Sequence, residues 1–235
     1  MPRNRIALAL LCVALLSAAL LLKSAFLQML MIWVALNVLL TASFRFVLLI
    51  GELNFAIAGF VGIGAYAAGA ATTLLKAPFP LALLAGTVAA GAASVVFGHV
   101  TLRVKGPYFL LISFAFTEVL RLIYTQVGAI GGNSGMVGIF PPAVLTAWYP
   151  ALVVAIVIAL LALLYRLEQS DFGKILVAIR NNDRIVQTVG IHVHRTKVWC
   201  LAIASCVAGL AGALLAHANN VISPGDFGFL LAVFT

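Results

Sequence analysis

The sequence predicts an all-α, polytopic membrane protein, and two observations carry this prediction: the composition and the length of the uncharged segments. Of the 235 residues, 64% are hydrophobic and 9% are charged, and the mean hydropathy is +1.19. Twenty charged residues are too few to cover the outer faces of a water-soluble fold of this length. The same surplus of apolar residues excludes an intrinsically disordered chain. Water-soluble enzymes are therefore excluded as well.

Seven segments are expected to cross the membrane as helices, because each approaches the roughly 20 apolar residues that span a bilayer core. They are residues 6–22, 24–44, 53–75, 77–102, 107–127, 143–165 and 198–217. The glycine- and proline-rich stretch 128–142 separates the fifth span from the sixth. The first span follows Arg3 and Arg5, and its length favours a retained anchor over a cleaved signal peptide. Residues 227–235 are apolar but too short to cross.

The distribution of basic residues predicts the orientation of these helices. With the N-terminus in the cytoplasm, eleven Lys and Arg residues lie inside and two, Lys23 and Lys76, lie outside, as the positive-inside rule favours. The chain is then a single transmembrane domain over residues 1–235, with a cytoplasmic loop at 166–197 and an external segment at 128–142. The net charge of +8 reflects this topology. Because the basic residues lie between apolar runs and form no stripe, no nucleic acid partner is expected.

Residues 166–197 form the only sizeable hydrophilic segment, and an amphipathic helix is predicted within it over 174–189. Its apolar residues recur at helical spacing: Ile175, Ile179, Val186 and Val189. Ser170 or Asp171 is expected to cap its start, and Gly190 suits the left-handed position after its end. Two interpretations stay open: a helix that lies on the lipid surface, and a helix that docks into a groove of a cytoplasmic protein.

Two polar breaks interrupt the apolar runs. Glu118 and Arg121 lie one helical turn apart inside the fifth span, where they are expected to neutralise each other. This pair is either a structural ion pair or part of a substrate or proton path. Glu52 and Asn54, with Arg45 nearby, separate the second span from the third. That break is either a cytoplasmic turn or an unwound helix start that lines a pathway.

The remaining motifs indicate no catalytic or metal site. Glycine and alanine are dense over residues 59–69, where small side chains let membrane helices pack closely. His192 and His194 alone show metal-like spacing and are interpreted as a solvated pair. The segment 131–138 lacks the Gly-Lys-Ser/Thr ending of a phosphate-binding loop. We therefore expect no catalytic residue, no metal and no cofactor bound by this chain.

Ordered motif blocks give the chain a family resemblance. They begin with Gly-Glu-Leu-Asn-Phe-Ala at 51–56 and Phe-Val-Gly-Ile-Gly-Ala-Tyr at 60–66. The further blocks are residues 105–109, 116–121, 131–135, 173–180 with 189–191, and 208–217 with 222–224. Together they resemble the LivM-like permeases of branched-chain amino-acid ABC transporters. Blocks in this order are far more specific than any one of them alone.

The resemblance implies a set of partners and a location. Such a permease pairs with a second, similar permease, two cytoplasmic ATPases and an extracytoplasmic solute-binding protein in the bacterial inner membrane. It imports leucine, isoleucine, valine or related small solutes, and ATP and Mg²⁺ bind in the ATPases. The predicted helix then resembles the coupling helix that docks on an ATPase. The coupling residues implied are Lys174, Ala178, Ile179, Arg180, Asn181, Asn182, Asp183 and Gly190. The segment 128–142 is expected to face the binding protein.

The translocation path is expected to involve Asn54, Phe55, Glu118 and Arg121. The chain departs from the family pattern at Ala56 and Ile57, where Gly-His is usual. It also ends at Thr235, before closing helices usual in the family, so a C-terminally truncated permease is expected. Two other functions stay open: a stand-alone ion-coupled carrier that uses the Glu118 and Arg121 pair, and an assembly subunit that transports nothing.

Overall fold

The computed structural model describes residues 24–104, 106–142 and 145–227. Eight α-helices lie within these residues: α1 (Ala25–Leu48), α2 (Ile57–Thr73), α3 (Phe79–Thr101), α4 (Pro107–Gln126), α5 (Tyr149–Gln169), α6 (Asp171–Asn181), α7 (Asp183–Thr188) and α8 (Val193–Asn219). The predicted first span, its basic flank and the last eight residues lie outside the described residues, as does Lys105.

Five of the described helices are long and apolar enough to cross a membrane: α1, α3, α4, α5 and α8. The third predicted span corresponds to α2, which is apolar but has only 17 residues. The prediction of an all-α, polytopic membrane protein is confirmed. Several predicted boundaries differ from the helix ends, and the largest differences lie at the starts of the sixth and last spans. The sixth span begins at Tyr149 instead of residue 143, and Pro150 occupies its first turn, where proline is tolerated. The last span begins at Val193 instead of residue 198.

The core of the bundle is formed by α2, α3 and α8, and α8 is buried along most of its length. Glycines allow this close packing. A side chain at Gly64 would overlap the backbone of Gly209 on α8, and one at Gly212 would overlap the carbonyl of Val61. The interpretation of the glycine-rich stretch as a packing surface is therefore supported. Around this core, α1 packs on α5 and α8, and α4 packs on α2.

The segments at the two ends of the bundle differ in character. At one end, α6 and α7 follow α5 and lead into α8. At the opposite end, β1 (Met136–Val137) pairs antiparallel with β2 (Val221–Ile222), which follows α8. Short 3-10 helices accompany this ribbon at Gly128–Ile130, Gly132–Ser134, Thr146–Trp148 and Pro224–Phe227. The segments predicted to be cytoplasmic and external thus lie at opposite ends of the bundle.

Candidate functional site

The hydrophilic segment contains two short helices instead of the single helix predicted over 174–189. The break lies at Asn182, whose backbone is extended (φ −161°, ψ 100°). Its side-chain Oδ1 accepts hydrogen bonds from the backbone N–H of Arg184 (3.0 Å) and Ile185 (3.3 Å). Asparagine competes in this way with the helical backbone and favours the start of a new helix. The predicted continuous helix was therefore wrong, and α6 and α7 form a helix pair.

The ends of the helix pair agree in part with the prediction. Gly190 has φ +85°, the left-handed conformation expected after the last helical residue. Ser170 precedes α6 in an extended conformation, but its hydroxyl donates to Leu167 O (2.6 Å) and does not cap the helix. Asp171 begins α6 and pairs with Lys174 at 2.8 Å. The hydrogen bond from Lys174 lowers the pKa of the Asp171 carboxyl below its ordinary value.

The helix pair has a buried face and an exposed face. Leu176 packs in the main core, whereas Ile179 and Val186 form a separate small cluster with Val193 at the start of α8. Val189 was predicted on the buried face but is exposed, because it follows α7 and lies outside the helical pattern.

The exposed face of the helix pair also carries the apolar side chains of Val177 and Ile185. The exposed members of the predicted coupling set are Lys174, Ala178, Arg180, Asn181, Asn182 and Gly190. Cationic and apolar groups thus share one exposed surface.

Asp183 and Lys197 do not lie in a solvated loop. The Lys197 Nζ lies 3.3 Å from Glu52 Oε1 and 3.7 Å from Asp183 Oδ2, and the Lys197 side chain is 5% exposed. The predicted loop at 166–197 was therefore too long: its first residues complete α5 and its last ones begin α8. A lysine can occupy the second turn of this buried helix because two carboxylates neutralise it. The sequence held no signal for this contact, since Glu52 lies 145 residues from Lys197.

The break between α1 and α2 is an unwound segment, residues 51–56, in which buried residues alternate with the exposed Gly51 and Leu53. Glu52 and Asn54 are buried, and Asn54 Oδ1 accepts a hydrogen bond from the N–H of Ala56 (3.0 Å). The N–H of Phe55 donates to Ser113 Oγ (3.1 Å), and Thr117 Oγ donates to the carbonyl of Phe55 (3.0 Å). Both partners lie on α4. These contacts favour the unwound helix start over a simple turn, because side chains of a neighbouring helix replace the missing helical hydrogen bonds.

Glu118 and Arg121 form an ion pair on α4, with Glu118 Oε2 2.7 Å from Arg121 Nε. Glu118 follows Thr117 directly and lies about 12 Å along the helix from its end at Gln126. The pair is thus near the middle of the helix, at the level of the unwound segment. Its side chains are 28% and 37% exposed, so it lies on the flank of α4 and not in the buried contact with Phe55. The structure thus places Phe55 against Thr117, the residue before Glu118, but it does not join the four predicted path residues in one cluster.

A cavity of about 420 Å³ lies at the end of the bundle opposite the helix pair. Gln28, Phe140, Tyr149 and His217 are among its lining residues. His217 is buried; its Nδ1 lies 2.8 Å from the carbonyl of Ala213 and its Nε2 3.1 Å from Thr72 Oγ. Sequence reasoning did not single out this cavity.

Of the two histidines interpreted as a solvated pair, His192 is exposed and His194 is partly buried. His194 Nε2 lies 3.4 Å from His99 Nδ1 at the end of α3. Across residues 24–104, 106–142 and 145–227, no three His, Cys, Asp or Glu side chains are placed to hold a metal ion.

The bundle of membrane-length helices, the amphipathic helix pair at one end and the polar unwound segment between α1 and α2 define a polytopic helical membrane protein. A family model described as "Branched-chain amino acid transport system / permease component" matches residues 26–235. The chain therefore belongs to this family, as the motif blocks predicted.

Curated relatives carry the same family name. The chain is 24% identical to the high-affinity branched-chain amino acid transport system permease protein LivM of Escherichia coli K12, over 75% of this chain and 48% of that protein. It is 26% identical to LivM of Salmonella typhimurium over the same shares. The probable branched-chain amino acid transport permease protein LivM of Methanocaldococcus jannaschii is 26% identical over 61% of this chain and 44% of that protein. The chain spans about half the length of these relatives. No solved structure matches it.

Proposed function

We propose that the chain is a transmembrane permease subunit of a binding-protein-dependent ABC importer for branched-chain or related amino acids. The observation that carries this proposal is the helix pair α6–α7, which presents an exposed surface of cationic and apolar side chains at one end of the membrane bundle. Membership of the family and the names of the LivM relatives support the substrate class. In this proposal the chain is not itself an enzyme, and ATP and Mg²⁺ bind in partner subunits.

The proposed arrangement places the N-terminus and the helix pair on the cytoplasmic side of a bacterial inner membrane. Two ATPase subunits dock there, and a second, homologous permease completes the membrane part. The ribbon β1–β2 and the segment 128–142 then face the solute-binding protein. The positive-inside rule supports this orientation, because residues 166–197 carry six of the fourteen Lys and Arg residues and the segment 128–142 carries none. Closure of the ATPases would displace the helix pair, and the permeases would alternate between outward-open and inward-open states.

The docking surface can be tested with exposed apolar residues, whose substitution leaves the core intact. Ile185 on α7 is 62% exposed. In the full-length protein purified from native membranes, Ile185→Asp is expected to reduce copurification of the ATPases by at least about tenfold, since it places a charge in an apolar contact. Val137→Asp is the matched control, because Val137 is 65% exposed at the opposite end of the bundle. Equal ATPase recovery with both variants would contradict the proposed docking surface.

A second candidate function is a stand-alone ion-coupled carrier, and the Glu118 and Arg121 pair near the middle of α4 is the observation that favours it. The carrier predicts uptake driven by an ion gradient and abolished by Glu118→Gln. Leucine uptake that requires ATP and survives Glu118→Gln would exclude the carrier, whereas gradient-driven uptake without ATP would exclude the importer.

A further inference from the structure

A buried ion cluster lies where the helix pair meets the membrane bundle. Its centre is Lys197, which stands between the carboxylates of Glu52 and Asp183. The side chains of Lys197 and Glu52 are each 5% exposed, and that of Asp183 is 15% exposed. Removing Lys197 would leave two carboxylates in a largely water-free place without the cation between them, an arrangement that is strongly unfavourable.

The cluster joins four different segments of the chain. Asp183 is the first residue of α7, and Lys197 lies near the start of α8. Glu52 belongs to the unwound segment, and its Oε2 accepts a hydrogen bond at 3.3 Å from the N–H of Gly106, just before α4. The helix pair, the unwound segment and the starts of α4 and α8 therefore meet at one set of charges.

A second contact joins the helix pair to the unwound segment at a neighbouring position. Gly51 has φ +82°, and a side chain there would lie 3.2 Å from Cγ of Arg180 on α6. The small cluster of Ile179, Val186 and Val193 fixes the helix pair to the start of α8, separately from the main core. The helix pair and the first turns of α8 thus form one unit, and Lys197 is its polar link to the unwound segment.

We propose that Lys197 is a positioning residue that transmits movement of the helix pair to the unwound segment through Asp183 on one side and Glu52 on the other. Moving either carboxylate away from Lys197 would break an ion pair in a largely buried place, which is unfavourable, so the three groups are expected to move together. The unwound segment carries Asn54 and Phe55, and the backbone of Phe55 contacts Thr117 on α4, the residue before Glu118. The part of this inference that concerns ATP-driven movement rests on the proposed function.

The physical link can be tested by hydrogen exchange in the full chain in detergent. Lys197→Met is expected to accelerate amide exchange on the order of a hundredfold at residues 51–56 and at 183–188, with the α2–α3–α8 core still protected. Lys197→Arg keeps the charge and should restore protection. Arg195→Met is the matched control, because Arg195 lies two residues before Lys197 on α8 but is exposed. Acceleration on one side only, or an equal effect of Arg195→Met, would overturn the proposal.

A second variant tests transmission without disturbing the Glu52 contact. Asp183→Asn leaves the Glu52 and Lys197 pair in place, so residues 51–56 should stay protected. In proteoliposomes with the whole transporter, it should raise the ATP hydrolysed per leucine imported by about tenfold, since the coupling between two sites is reduced. Asp171→Asn, an exposed acid of α6, is the control. An unchanged ratio would overturn the transmission role. No ATP-dependent uptake in the wild type would instead refute the importer, while the exchange result would still decide the link.

Discussion

Thr117→Val should loosen the unwound segment, because Thr117 supplies one of the two α4 contacts that hold it. Its hydroxyl donates to the carbonyl of Phe55 at 3.0 Å and, less closely, to Ser113 O in its own helix at 3.3 Å. Valine has nearly the same shape without the hydroxyl, so packing is kept and the hydrogen bond is lost. A part-buried carbonyl that loses its donor costs about 1–3 kcal/mol. For a chain of this size, each kcal/mol lowers the melting temperature by about 2–4 °C.

The assay compares two threonines of the same helix. Thr125 is partly exposed near the end of α4, and its hydroxyl donates only to Leu122 O within the helix, so Thr125→Val should leave the melting temperature nearly unchanged. Ser113→Ala removes the acceptor of the Phe55 N–H and should accelerate exchange of that amide directly. If Thr117→Val and Thr125→Val melted alike, and the Phe55 amide exchanged at the wild-type rate in Ser113→Ala, the argument that α4 holds the unwound segment would be refuted.

Three further predictions concern other parts of the fold. Asn182→Ala removes the cap of α7 and should cost about 1 kcal/mol, which would be seen as faster amide hydrogen exchange in α7. Asn181→Ala should have no such effect. Equal amide exchange rates in the two variants would contradict the cap. Gly64→Ala should lower the thermal stability by about 1–3 kcal/mol, because the added methyl group would overlap Gly209. Gly128→Ala should not lower it, because Gly128 has open space around it. A Gly64→Ala protein as stable as the wild type would argue against the close helix packing. Lys174→Met should raise the pKa of Asp171 toward its ordinary value of 3.8, measured by carboxyl NMR titration. Because the pKa of Asp171 is lowered in the fold, the pair contributes at neutral pH, and its contribution is lost as the pH falls through that lowered value; an unshifted titration would show that the pair does not form.

The sequence predicted the membrane helices well because their signal is local. Each predicted span within residues 24–227 contains an α-helix, and some ends followed local residues such as Pro107 at the start of α4. The start of α8 was misplaced because Lys197 was counted as a solvated charge. Its burial depends on Glu52 and Asp183, and a contact between distant residues leaves no trace in hydropathy or periodicity. The same limit hid the contact between His194 and His99.

The functional segments were predicted in position but not in form. The amphipathic pattern of residues 174–189 was real for Ile179 and Val186, yet the asparagine side chain at Asn182 ended the first helix and began the second. That signal was present in the sequence, because asparagine followed by an acidic residue is typical of a helix start. Whether residues 51–56 formed a turn or an unwound helix start depended on Ser113 and Thr117, two ordinary polar residues of an apolar span.

The way in which the unwound segment is held bears on how it could move. Backbone groups inside an apolar bundle must be hydrogen-bonded, and a helix satisfies them within itself. Residues 51–56 instead depend on side chains of α4 and on the ion cluster at Glu52. A shift of α4 or of the helix pair therefore changes the hydrogen bonding of this segment directly, whereas the glycine-packed contacts of α2, α3 and α8 resist such a shift. Movement is thus expected to concentrate at the unwound segment, while the three core helices keep their packing.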